Sequence, residues 1–288
     1  MLKANVVIVG GDLTGKMLVP LVQESDGKVK YYLMGRMHVV ESRELKKIAK
    51  EIHGMGYYPY VTDEGGVEEL RSSRKKLEEV FVQSMRDTLN KWFDLIREKV
   101  PRDASIIVLP GNDDRFEIDD VIKSHEDVIY AEGEVIDLDG VHELVSCGWV
   151  NPTPWKTPRE ESDEDLEKRL EAYISKVDKI ETALFNFHAP PYQSKLDEAP
   201  LLDEDFKPVI RAGKVVMVPV GSMAVRKVIE EHQPQLGLHG HIHEAGGSMK
   251  IGKTFCVNPG SEYSEGVLRA FFIEFRDKEI RRLQRIEG

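Results

Sequence analysis

The chain has 288 residues, 41% of them hydrophobic and 32% charged, with a formal charge of −11 from 40 basic and 51 acidic side chains. This composition suits a soluble globular protein able to bury a substantial core, and an acidic balance disfavours extended binding to nucleic acid. Cys147 and Cys256 fit neither a disulfide framework nor a zinc pair and are expected as buried reduced thiols in a cytoplasmic protein, with no signal peptide and no run near the ~20 apolar residues of a membrane span.

In chain order, Val6-Val7-Ile8-Val9 reads as a strand ending at Gly10-Gly11-Asp12, and residues 28–40 read as a hairpin. Between residues 66 and 99, Leu70, Leu77, Phe81, Met85, Leu89, Trp92 and Ile96 recur at steps mostly of four or seven, an amphipathic helical stripe expected to be core. Ser105 to Leu109 is a strand ending at Pro110-Gly111-Asn112-Asp113. Ser162 with Asp165 resembles a capping box opening a helix through residue 179. Ala183 to Phe187 is a strand ending at His188; Ser222 caps a helix over Met223–His232, which Pro234 stops. Leu236-Gly237-Leu238 runs into His239-Gly240-His241, and residues 254–257 and 268–275 close the chain as strands. Near-continuous apolar strands suit a sheet covered on both faces, and open α/β sheets place ligands at the strands' carboxyl ends.

Those ends carry the chemistry. In Gly240-His241-Ile242-His243 two imidazoles follow a strand on a loop, where both can turn toward one centre. Asp12 offers a carboxylate able to bridge cations, Asn112 an amide oxygen, and His188 another imidazole. Singly, each has a plain alternative: Asp12 a turn or cap residue, Asn112 a left-handed turn residue, His188 a satisfied core histidine. Together, at corresponding strand ends, they point to a metal site.

The ordered set Gly11-Asp12, Gly111-Asn112-Asp113-Asp114, His188 and Gly240-His241-Ile242-His243, followed by Asn258-Pro259-Gly260-Ser261, resembles the calcineurin-like metallophosphoesterases. The resemblance spans nearly the whole chain. It implies an α/β fold, a two-layer β-sandwich flanked by helices, forming a single domain over 1–288 with an inserted hairpin and helical region at about 26–100. It implies a binuclear centre in which Asp12 bridges two divalent metals, Asn112, His188 and His241 complete one site, and His243 belongs to the other. Mixed nitrogen and oxygen ligands suit Mn, Fe or Zn. The activity implied is hydrolysis of a phosphate ester by metal-activated water, the two cations ~3.5–4 Å apart stabilising the charge that develops on phosphorus.

Two departures shape the expectation. The family's opening D-x-H motif is missing, so the first strand is expected upstream of the given start, Met1-Leu2-Lys3-Ala4 reads as a helix end, and one metal is expected to be weakly held. The family's histidine after the asparagine is Asp113 here. An aspartate carboxyl ordinarily ionises well below neutrality and is poorly suited to protonate a leaving group, which leans the expectation toward phosphodiesters with Asp113 as the catalytic determinant. The expected partner is a phosphate-ester small molecule or a phosphoprotein, with no membrane; an oligomer is left open. The long insertion reads as a lid, substrate wall or oligomer surface, and Trp155 and Tyr192 either line the pocket or pack on neighbouring prolines. A P-loop reading of Gly10 to Lys16 fails because Met17 cannot ligate Mg²⁺. The remaining rival is a non-catalytic scaffold or binding module on the same fold.

Overall fold

The computed structural model describes residues 4–288, with Ser264 described by its backbone alone. Apart from Ala4, the helix end expected over Met1-Leu2-Lys3-Ala4 lies outside them. The chain is mixed α/β, with six α-helices among the described residues, and divides into two compact units. One unit holds the described residues up to Leu13 together with Val100–Glu262 and Val267–Gly288; the other holds Thr14–Lys99 and Tyr263–Gly266.

In the first unit, Val6–Val9 pairs in parallel with Ser105–Val108, which pairs in parallel with Ile129–Tyr130. A six-stranded sheet runs in the order Gly247–Ile251, Thr254–Asn258, Leu236–Leu238, Leu184–Phe187, Glu143–Cys147, Val135–Asp137, its four central strands parallel. Side chains alternate across a strand, and the core is divided accordingly. Leu144, Leu184 and Leu236 pack with Ile107, Leu109 and Ala131, while Val145, Cys147, Phe185 and Phe187 pack with Leu166, Leu170, Val225 and Ile229 of two helices, Asp163–Ile174 and Met223–His232. Each valine, leucine, isoleucine or phenylalanine among them contributes about 1.5–3 kcal/mol by leaving water. An antiparallel hairpin, Arg269–Arg276 with Glu279–Glu287, adds Ile273, Phe275, Ile280 and Leu283 to the first cluster. Both cysteines are buried free thiols, as expected. Leu184–Phe187 is covered on both faces, but Val6–Val9 is not: it is an edge strand with Val7 and Val9 exposed and Val6 and Ile8 packed inward.

The expected helix caps are present. Ser162 Oγ accepts from Asp165 N–H (3.2 Å) and Ser222 Oγ from Val225 N–H (3.1 Å). The first helix stops at Ile174 and does not continue to 179. The Glu143 carboxylate takes the Asp178 and Lys179 backbone N–H groups (2.9 Å each), which removes the donors another helical turn would need.

The second unit has a four-stranded sheet in the order Arg36–Glu41, Lys28–Leu33, Leu18–Gln23, Tyr58–Thr62. The first two strands form the antiparallel hairpin read at residues 28–40. Val19, Leu21, Val29, Tyr31 and Leu33 pack with Ile52 of the Leu45–Gly54 helix. The long amphipathic stretch is two helices, Glu64–Ser72 and Arg74–Lys99. Ser73 ends one, its N–H donating to Glu69 O, and opens the next, its Oγ accepting from Lys76 N–H (3.2 Å). Leu70, Met85 and Leu89 are buried as expected, but Leu77 and Trp92 are exposed and Phe93 takes the place expected of Trp92. The break at Ser73 resets the helical phase, and beyond Leu89 the buried line advances by four residues, not three.

Candidate metal centre

Because neighbouring strands are parallel, their carboxyl ends emerge on a common edge. Leu184–Phe187 and Leu236–Leu238 deliver His188 and the 239–243 loop side by side, and Val6–Val9 with Ser105–Val108 do the same for Asp12 and Asn112. Backbone hydrogen bonds lace the ends together: His188 N–H donates to Cys147 O (2.9 Å), and Gly240 N–H donates to His188 O (3.0 Å).

Asp12, His188 and His241 form a group whose ligand atoms all lie within 4.8 Å of one another, a set able to hold a metal ion. His188 is buried; its Nδ1 lies 2.7 Å from Gly10 O, its Nε2 lies 3.3 Å from Asp12 Oδ2 and 3.1 Å from Asn112 Oδ1. A carbonyl only accepts, so Nδ1 carries the proton, and Nε2 is the ring atom turned toward the two oxygens. The His188 Nε2, the Asp12 carboxylate and the Asn112 amide oxygen thus converge. That arrangement calls for a cation or a proton between them. The separations fit a metal, since bonds of about 2.1 Å place neighbouring ligands about 3–4 Å apart. Burial alone would push the His188 imidazole down, but the adjacent Asp12 carboxylate and the Gly10 carbonyl raise it above its ordinary value. The ring of His241 stands 5.4 Å from that of His188, and His241 adopts φ 63 to turn its side chain there.

Two glycines make this convergence sterically feasible. At Gly11 (φ 119) an added Cβ would fall 2.4 Å from His188 Nδ1, and at Gly111 it would fall 2.4 Å from Asp12 Oδ1. A side chain at either position would displace a ligand.

Around the ligands, Asp114 is fully buried and its Oδ2 accepts from Leu13 N–H (2.9 Å) and Gly111 N–H (2.7 Å), tying the two strand ends together. Arg159, also buried, donates to the carbonyls of Gly111 and Asp114 and pairs with Asp119. Asn112 Nδ2 donates to Thr157 Oγ1 (2.9 Å); Thr157 and Thr153 both donate their hydroxyls to Glu160 Oε1 (2.5 Å each). Partial burial pushes the Glu160 carboxyl up, but these bonds and those from the Thr153 and Thr157 N–H groups hold it below its ordinary value.

Of the residues singled out in the sequence, Asp12, Asn112, His188 and His241 are thus brought together. Asp113 lies beside them, its backbone N–H donating to Asp12 Oδ1 (3.1 Å). His243 is outside the Asp12–His188–His241 group; its carbonyl accepts from Ser261 N–H (3.1 Å). Asn258 serves the loop, its Nδ2 donating to Gly240 O and Ile242 O (3.2 and 2.9 Å). His239 points into the core, where Nδ1 donates to the Phe187 and Ala189 carbonyls and burial pushes its imidazole down to about 4. Sequence reasoning missed Arg159, Thr157 and Glu160. They sit in a charged, proline-rich stretch that reads as a surface loop, and no spacing marks them.

No family model matches the chain. Among curated proteins, 156 residues align at 31% identity with the uncharacterized protein MJ1162 of Methanocaldococcus jannaschii, over 54% of this chain and 63% of that one. The chain therefore spans less than two thirds of the length of the relative it matches. Among solved structures, one crystal structure is similar at a TM-score of 0.48 and 17% identity, covering 88% of this chain and 93% of that one. TT1561 of Thermus thermophilus is similar at a TM-score of 0.45 and 19% identity, covering 69% and 78%. The functional reading rests on the site itself.

Proposed function

We propose that the chain is a metal-dependent phosphoester hydrolase of calcineurin-like type, built as that family's two-layer sandwich and favouring diesters. The observation that carries the reading is the meeting of Asp12 Oδ2, Asn112 Oδ1 and Nε2 of His188, with His241 beside them. Such a donor set suits Mn, Fe or Zn, and a bound divalent cation supplies charge neutralisation on phosphate oxygens and acidifies water.

This chain's residues do the rest. Gly10 O fixes the ring of His188 in the ligating tautomer. Asp113 N–H engages Asp12 Oδ1 and leaves Oδ2 turned to the centre. Asp114 and Arg159 hold the loops so that the ligands are preorganised before any cation arrives. Asp113 adds negative charge beside the site, which a phosphodiester monoanion tolerates better than a monoester dianion. His243 is the residue we assign to a second, weaker cation.

The reading is tested by stripping the protein with chelator and measuring hydrolysis of paired aryl phosphate mono- and diesters as Mn²⁺ is restored. Activity should return with the metal and be greater on the diester. Asp12→Asn should lower kcat/KM by more than the roughly 10–100-fold typical of losing an outer partner of a ligand. Tight metal binding with no hydrolysis of either ester would favour the binding-module reading instead.

A further inference from the structure

We propose that Thr157, locked by Glu160, is a positioning residue that keeps the Asn112 amide in its metal-binding orientation; the inference rests on the metal-site reading above. An asparagine side chain presents an oxygen on one side and two N–H donors on the other, and rotation by half a turn exchanges them. At the centre of this site the exchange matters. With Oδ1 facing His188 Nε2 and Asp12, Asn112 offers a ligand. With Nδ2 there, it would donate to both of those acceptors and satisfy them without any cation.

With Nε2 unprotonated, as metal binding requires, a metal-free site would favour the second arrangement, because it pairs lone pairs with protons. Thr157 opposes it. Its hydroxyl proton is committed to Glu160 Oε1 (2.5 Å), a carboxylate that also accepts from Thr153 Oγ1 (2.5 Å), Thr153 N–H (3.0 Å) and Thr157 N–H (2.7 Å). With that proton spent, Thr157 Oγ1 can only accept, and it does so from Asn112 Nδ2 at 2.9 Å. A flipped amide would press its oxygen against the lone pairs of Thr157, in the interior where Asn112 is buried and an unmade hydrogen bond costs most. The other acceptor for Nδ2, Asp113 Oδ1, is 3.4 Å away, too long to fix the orientation. A half-buried carboxylate thus sets, through one hydroxyl, which atom of Asn112 faces the centre.

The test is calorimetric titration of chelator-stripped protein with Mn²⁺ alone, for wild type, Thr157→Val and Thr157→Ser. Valine keeps the shape and removes the acceptor; serine restores the hydroxyl. Thr157→Val should weaken Mn²⁺ binding roughly 10–100-fold, and Thr157→Ser should bind within a few-fold of wild type. Should the valine variant not fold, Thr157→Ala serves the same comparison. Wild-type affinity in Thr157→Val would overturn the positioning role while leaving the metal site standing. Equal weakening in Thr157→Ser would also overturn it, because the effect would then be packing and not the hydroxyl. Wild-type protein that binds no Mn²⁺ would defeat the metal-site reading itself, and this inference with it.

Discussion

Asp113 stands where the resembled family carries a histidine, and its two functions separate cleanly. Its backbone N–H donates to Asp12 Oδ1, a role any residue but proline keeps; in the proposed function its carboxylate adds charge next to the phosphate ester. Asp113→His should therefore leave the ligand arrangement in place and raise the ratio of monoester to diester kcat/KM, by relieving repulsion of a dianion and supplying a proton donor. The check is that ratio on paired aryl esters with Mn²⁺ present; an unchanged ratio counts against Asp113 as the specificity determinant. At this scale the candidate ligands were legible in the sequence, because Asp12, Asn112, His188 and His241 each follow an apolar strand. Their supports were not. Nothing in Pro154-Trp155-Lys156-Thr157 announces that Thr157 reaches Asn112 across 45 positions, and Trp155, offered as a pocket or packing residue, is 65% exposed.

At the scale of elements, local signals were reliable where the chain itself supplies the partner and failed where a distant residue intervenes. Ser162 and Ser222 cap their helices with side-chain oxygens three residues from the donor, so the caps could be read directly. Past Ile174 the Asp178 and Lys179 N–H groups go to Glu143, far away in sequence, and that could not be read. The Arg74–Lys99 helix shows the same division: a stripe was visible, but its phase depended on the break at Ser73. The consequence is measurable. Phe93→Ala should lower unfolding stability by about 3–5 kcal/mol, as for a buried aromatic, whereas Trp92→Ala, at a position 43% exposed, should cost less than about half of that. Denaturant unfolding of the two variants decides; equal losses would contradict the burial described for this helix.

For the whole molecule, composition led to a globular, acidic protein and the alternation of strand and helix patterns to an α/β fold, and no helix among the described residues is long and apolar enough to cross a membrane. The insertion read at about 26–100 overlaps a compact unit of residues 14–99 with 263–266 that has its own sheet and core, but residues 14–25 and 263–266 were not read as part of it. The reason is physical: the glycines around Thr14 read as the turn that ends the first strand, and the unit's own strands read like those of the rest. What unites the functional account is a single centre in the first unit. Crystals grown with Mn²⁺, with anomalous scattering recorded at wavelengths on either side of the manganese edge, test that centre most directly. We predict a manganese peak bonded to Asp12, Asn112 Oδ1, His188 Nε2 and His241, with any second, weaker peak on the His243 side. Protein exposed to saturating Mn²⁺ that shows no peak among those four side chains would contradict the account.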